Sequence, residues 1–330
     1  MADTFHAGEL EAQSRAGVRD KVATVGPRMI RDAMPEQHRE LFEKLPTLLV
    51  GSLDAQRRPW ASIVVGLPGF VRAPDQHHLR IAARPGFGDP LAEQLAIGVP
   101  LGLLGIEPAT RRRNRMNGMV TQLDANGFTV RVDQSFGNCP QYIQARTPRW
   151  RADPATFSQP HAVQRLDAAL HAPARALLRR ADTLFIASAA ARARGAAGAE
   201  GVDVSHRGGR PGFVRVDDDA QGRVVLTLPD FRGNNLFNTL GNIAVHPHAG
   251  VLVMDPARGD LLQLTGDAHV VWSGPEVEAF EGAHRLLRIT VADARWHAAA
   301  LPLAWSEPEP APQLAHTGTW PAEPTRHAGT

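Results

Sequence analysis

Two stretches of the chain carry the same succession of apolar and polar runs. In the first, LRIAA is followed by the polar loop RPGFGDP, the amphipathic segment LAEQLAIG and the apolar run VPLGLLGIE. In the second, VVLTL, PDFRGNN, LFNTLGNI and AGVLVMD take the same order. The pentapeptide PGFVR precedes both copies, at Pro68–Arg72 and Pro211–Arg215, so the period is roughly 145 residues, one domain's worth. Short apolar runs with period-2 alternation predict strands: LPTLLVGSLD and WASIVVG around the turn DAQRRP, TRRRNRMNGMVTQL and GFTVRVDQSFGNCPQYIQ around Asp124–Gly127, and TLFIASA at the start of the second copy.

Helices are predicted at the periphery. Residues 1–35 read as one helix and then a loop through Gly26-Pro27. Pro35 opens EQHRELFEKL, and Asp89 caps a helix with Pro90 in its first position. HAVQRLDAALHAPARALLRRAD reads as a helix or helix pair broken at Pro173, and PEVEAFEGAHRLLRITVADARWHAAALPLAW as a helix and a closing strand. Pro148 to Pro160 reads as a linker, and Ala189–Gly201, small and glycine-rich, as a hairpin loop that could serve as a lid. The expected fold is mainly β with peripheral helices: two tandem β-barrels of about six strands each, related by a pseudo-two-fold axis. The expected domains are residues 1–150, residues 151–305, and a proline-rich disordered tail at 306–330.

Composition narrows the function classes. The chain has 330 residues and a net charge of only +2, without the global positive field of a nucleic-acid binder. RRRNR at Arg111–Arg115 lacks interleaved aromatics and reads as a strand edge. The single cysteine, Cys139, rules out an intramolecular disulfide and reads as a small buried residue more readily than as a redox thiol. MADTFHAGELEAQ is charged and is no secretory signal, and Leu95–Ile106 is too short and interrupted to cross a bilayer; a cytoplasmic protein with no membrane partner is expected. His77, His78, His206, His246 and His248 show no metal-ligand spacing, and no nucleophile elbow, P-loop or dinucleotide fingerprint is present.

Two segments of the second copy carry candidate chemistry. In SHRGGRPGF, Ser205 and Arg207 alternate on one strand and so face one side, where both can meet an anion. In GNNLFNTLGN, Asn234 or Asn235 would cap a short helix whose free N–H groups favour a phosphate, with Asn238 and Thr239 about one turn in. Either segment alone is more often structural: a cap, or an arginine on a solvated face.

The order DVSHRGGRPGFVRV, LPDFRGNNLFNTLGNI, HPHAGVLVMD, LLQLTGDA resembles the pyridoxamine 5'-phosphate oxidase-related FMN-binding split-barrel family. FHAGELEAQ, the stretch from GDPLAEQLAIG to RRRNRMNG, and SFGNCPQYIQ resemble a tandem two-barrel subgroup of it. The resemblance implies two split barrels with FMN in the groove between them. It implies that Ser205, Arg207, Asn235, Asn238 and Thr239 hold the phosphate, and that Arg113, Arg115 and Gln263 line the ring's pyrimidine edge. Where the oxidase has an adjacent arginine–lysine pair, this chain has Asn238-Thr239, so Arg207 or Arg232 has to compensate. No counterpart of the oxidase's C-terminal substrate residues is found, so a true pyridoxamine 5'-phosphate oxidase is not expected. The expectation is an FMN-dependent oxidoreductase acting on a small molecule, with a possible homodimer. The alternatives are a flavin-binding, storage or sensor protein, or a haem-binding relative of the same fold.

Overall fold

The structure is a computed structural model and describes residues 4–191, 193 and 199–320. Seven strands, β1 (Thr47–Leu53), β2 (Pro59–Val65), β3 (Val71–Asp75), β4 (His78–Ile81), β5 (Pro100–Glu107), β6 (Arg112–Asp124) and β7 (Gly127–Gly137), form an antiparallel sheet in the order β2-β1-β5-β6-β7-β4-β3. Short strands β8 (Pro148–Trp150) and β9 (Val163–Leu166) follow. The second sheet comprises β10 (Thr183–Ala189), β11 (Val202–Gly208), β12 (Arg215–Asp218), β13 (Val224–Asp230), β14 (His248–Met254), β15 (Leu261–Val271) and β16 (Arg285–His297), in the order β11-β10-β14-β15-β16-β13-β12. That is the first order with every strand replaced by its counterpart in the second copy. The chain is therefore mainly β, built from two antiparallel sheets of matching strand order in tandem; the first has seven strands and the second eight, β9 pairing with β16, against the six or so that the sequence suggests for each. β17 (Leu303–Trp305) returns to pair with β8.

The helices are α1 (Ala7–Arg15), α2 (Arg19–Met29), α3 (Glu36–Lys44), α4 (Pro90–Gln94), α5 (Ala172–Arg180), α6 (Asn238–Val245) and α7 (Pro275–Glu278). α4 and α6 connect equivalent strands of the two copies, and α3 and α5 each precede the first strand of one. Asp89 caps α4, its side chain accepting from the Leu91 N–H at 2.8 Å. Each sheet wraps its own apolar core, around Leu48, Val50 and Phe128 in the first copy and Leu184, Ile186 and Leu226 in the second. A third core, with Leu49, Leu104 and Ile106 from one copy and Phe185, Val204 and Leu252 from the other, joins them.

The joint is reciprocal. Gly102 pairs with Gly51 on β1, and Gly250 with Ala187 on β10, so the two glycines are counterparts. A Cβ on Gly102 would lie 2.5 Å from the Val202 carbonyl oxygen, and one on Gly250 would lie 2.4 Å from that of Pro59. Val202 and Pro59 are themselves counterparts, paired with Ala189 and Leu53. Each copy thus presses a glycine backbone onto the same carbonyl of the other, the relation a pseudo-two-fold axis requires.

Several local expectations are corrected. Gly26-Pro27 is not a loop but lies within α2, where Gly26 makes room for the Phe5 ring, 2.5 Å from where a Cβ would sit. Pro173 does not break a helix: it sits in the first turn of α5, after the His171 cap, and the residues before it form β9, paired to β16. The helix expected from Pro275 is one turn, because the alternating RLLRITVADARWH that follows forms the long strand β16. The start of the expected linker is β8. Residues 306–320 of the expected tail are packed: Ala145 and Glu309 form a bridge, Pro312–His316 is a 3-10 turn, and Trp320 Nε1 donates to the Phe213 carbonyl at 2.8 Å. Residues 321–330 lie outside the described residues, as do parts of the Ala189–Gly201 loop.

Candidate functional site: a cationic cleft between the repeats

β6 of the first copy runs beside β11 and the N-terminal end of α6 of the second, and a cleft opens between them. Arg113, Arg115, Ser205, Arg207, Asn235, Asn238 and Thr239, seven of the eight residues singled out from the sequence, line it, together with Arg232 and Arg285. Alternation along β11 does this on one side: Asp203, Ser205 and Arg207 share a face, and Ser205 Oγ meets Thr239 Oγ1 at 2.9 Å.

Arg115 sits at the base, 4% exposed. Its guanidinium donates to Asp203 Oδ1 at 3.0 Å, to Asn238 Oδ1 at 3.1 Å and to Ser205 Oγ. Asp203 also accepts from Asn117 Nδ2 and Asn242 Nδ2, both at 2.7 Å. Buried charges need such pairing, so Arg115 and Asp203 form one neutral, hydrogen-bonded base to the cleft. The Arg115 Nε alone remains buried without an acceptor.

Above that base the balance is positive. Arg113 gives Nε to the Cys139 carbonyl at 2.7 Å. Burial and the neighbouring Arg207 and Arg115 charges push its pKa down to about 9. Arg207 Nη2 lies 3.7 Å from Asp230 Oδ1, and Arg285 Nε 3.4 Å from Oδ2 of the same carboxylate. Arg285 is stacked on Phe237, 4.8 Å from its centroid, and its Nη1 has no acceptor. Asn138 Nδ2, another buried donor lining the cleft, is unpartnered as well. The cleft has a volume of about 120 Å³. At its mouth Tyr142 and Phe231 present rings 4.9 Å apart.

The cap assignment is corrected. Neither Asn234 nor Asn235 caps α6; the helix starts at Asn238, and its N-cap is Phe237, in a left-handed conformation (φ 65°) with no side-chain cap bond. Asn234 instead accepts from the Leu236 N–H at 3.1 Å, an Asx turn, and Asn235 takes the left-handed φ of 63° that asparagine tolerates. Asn238 and Thr239 are therefore the first helical residues rather than one turn in, and N–H groups at such a helix start have no partner within the helix.

The N-terminal helix completes the site in a way the sequence did not signal. A Cβ on Gly8 would lie 2.2 Å from the Gly241 carbonyl oxygen, and one on Gly241 would lie 2.6 Å from Glu9 Cα. The two glycines let α1 rest on α6 backbone to backbone. That delivers Glu9 to Asn238, whose Nδ2 donates to Glu9 Oε1 at 2.5 Å. Glu9 is 3% exposed, and burial, with the Asp203 charge behind it, raises its pKa to about 8. His6 caps α1 and contacts Asn242 Oδ1 at 2.9 Å.

Gln263 is the eighth residue, and the structure does not bring it to this cleft. It sits at the counterpart position of Arg115: Arg115 pairs with Leu104 on β5, and Gln263 with Leu252 on β14. Its Nε2 donates to Asp89 Oδ2 at 2.9 Å and Ser62 Oγ at 3.2 Å, and its Oε1 meets His297 Nε2 at 3.1 Å. Ser62 is the counterpart of Ser205. There the pseudo-symmetric region is closed, by Arg295 clamping Glu93 at 2.8 and 3.1 Å, and burial raises Asp89 to about 6.

No protein-family model matches the sequence, and comparison with curated proteins finds no match. Two solved structures of HupZ from Group A Streptococcus, a tagged form and its histidine-to-alanine variant, are similar to part of the chain. Each is 14% identical; they cover 38% and 36% of this chain and 91% of their own, with TM-scores of 0.29 and 0.26. Function is accordingly read from this chain's own geometry.

Proposed function

We propose that the cleft binds the phosphate of FMN and that the protein is a flavin-dependent oxidoreductase acting on a small molecule. One observation carries the reading. Among the described residues, buried donors of Arg115, Arg285 and Asn138 line one cleft without acceptors, beside the Arg113 and Arg207 charges, and buried donors left unpaired are costly. A phosphate monoester supplies oxygens and negative charge to such a cluster, at a helix N-terminus whose first N–H groups have no partner within the helix. The order of segments that resembles the split-barrel flavoproteins supports FMN as the phosphate's bearer.

The residues divide the work. Arg113 and Arg207 would grip the phosphate, Ser205 and Thr239 add neutral hydrogen bonds, and Arg115 with Asp203 holds Asn238 in place beneath them. A volume of about 120 Å³ suits the phosphate end, leaving the ring system to lie outside it, where Tyr142 and Phe231 offer aromatic surface. Bound FMN would supply the hydride chemistry, so the chain needs no acid–base residue of its own for electron transfer.

The test is spectral and then kinetic. The purified protein, loaded with FMN if needed, should show a flavin spectrum, with flavin released on denaturation. A nicotinamide donor should reduce it, and oxygen, a quinone or a small aldehyde should reoxidise it faster than free FMN. A haem spectrum, or a bound flavin that no donor reduces, would overturn the enzymatic reading.

A further inference from the structure

A second cavity lies on the pseudo-two-fold axis and is distinct from the cleft. It measures about 550 Å³, within the range of about 300–1,000 Å³ typical of small-molecule sites. Part of its wall comes in counterpart pairs: Thr47 and Thr183, Leu49 and Phe185, Ile106 and Met254, Pro108 and Pro256. These belong to or abut the third apolar core, the one both repeats share. The side of the cavity that faces this core is apolar and offers water few hydrogen-bond partners. The walls are strands of two sheets, so the space is built into the joint between the repeats.

The mouth and the floor specify the occupant. The arginines at the cavity already hold carboxylates: Arg146 grips Asp182 at 3.0 and 2.9 Å, Arg180 meets Asp255 at 2.7 Å, and Arg258 lies 3.3 Å from Asp260. A charged ligand would have to break these pairs. The polar groups left are the hydroxyls of Thr47 and Thr183 and the ring of His206, 4% exposed, which lines both this cavity and the cationic cleft. Among the described residues no hydrogen bond engages its ring nitrogens. Burial, with Arg113 and Arg207 nearby, holds its pKa well below the ordinary histidine value, so the ring is neutral and offers one donor and one acceptor.

We infer that this cavity is a binding site for a neutral, predominantly apolar small molecule anchored by one hydrogen bond to His206. The site stands apart from the flavin reading, although a molecule in it would share a wall with whatever occupies the cleft.

The probe is N-phenyl-1-naphthylamine, a neutral dye whose fluorescence rises in apolar surroundings, titrated into the full chain without flavin. A saturable rise at one dye per chain is expected. Met254→Trp, which fills the cavity from a half-buried position, should weaken the dye about tenfold or more while leaving FMN binding unchanged, and Ile106→Trp should do the same from the opposite wall. His206→Phe should weaken the dye less than the filling variants, since it removes one hydrogen bond and keeps the volume. Absence of a saturable rise would overturn the inference, as would dye affinity unmoved in whichever filling variant retains the wild-type thermal midpoint. Because dye and FMN are titrated separately, failure of one site leaves the other reading standing.

Discussion

Arg115 and Gln263 occupy counterpart positions in the two repeats and reach across to counterpart serines, Ser205 and Ser62, in the opposite repeat. One pseudo-symmetric pair thus yields two unlike places. Where the strand carries arginine, the region is charged and open; where it carries glutamine, Asp89, Arg295 and Glu93 close it. One flavin per chain, not two, is the stoichiometry this asymmetry predicts, and absorbance of the reconstituted protein against protein concentration measures it.

Removal of Arg113 tests the cationic cluster. Arg113→Ala deletes a guanidinium with spare donors and should weaken FMN by about 1.5–3 kcal/mol, roughly tenfold or more, with little loss of stability because no carboxylate is orphaned. Fluorescence titration reads the affinity and thermal melting the stability.

Arg115 behaves differently. Arg115→Gln leaves Asp203 buried and unpaired and should cost about 3–5 kcal/mol of stability. Arg115→Gln with Asp203→Asn together should recover a large part of that loss, since neither charge then remains. Denaturant melts of the two single variants and the double variant decide it.

Glu9 makes stability depend on pH. Its folded pKa, about 8, lies above the ordinary 4.5 because burial disfavours the carboxylate. Between these values the unfolded chain releases the proton and the folded chain keeps it, so stability contributed at low pH is lost as pH rises through that window. Glu9→Gln keeps an acceptor for Asn238 and cannot ionise. It should flatten the fall in denaturation midpoint between about pH 5 and pH 8 and be the more stable protein at the upper end.

The joint between the repeats should tolerate no methyl group. Gly102→Ala and Gly250→Ala each place a Cβ against a backbone carbonyl at 2.5 and 2.4 Å, which side-chain movement cannot relieve. Both should lower the thermal midpoint by similar amounts. Gly222→Ala sets the comparison: it is strained by its own φ of 75°, but a Cβ there meets no neighbour.

The doubled PGFVR and the matching strand order made the tandem fold readable, because period-2 alternation reports the face a strand buries. The same alternation places Ser205 and Arg207 together, and one further step of two along the strand leads to Asp203, whose pairing with Arg115 across the joint has no signature in the strand itself. Strand matching also makes Arg115 and Gln263 equivalent, yet a two-fold axis sends equivalent residues to separate sites, so the match alone does not bring Gln263 to the cleft that holds Arg115. Glu9 was not readable: it meets Asn238 across 229 residues through a glycine-on-glycine helix contact that has no local signature. Nor was the start of α6, where a left-handed Phe237 stands in the place that sequence preference gives to asparagine.

The central claim is that the cleft is a phosphate site, and the comparison of FMN with riboflavin tests it most directly, since the two differ only in that group. Equilibrium titration by quenching of flavin fluorescence should show FMN bound at least about tenfold more tightly than riboflavin, with the difference abolished in Arg113→Ala. Equal affinity for the two flavins, or a preference for FMN that survives Arg113→Ala and Arg207→Ala, would contradict the account.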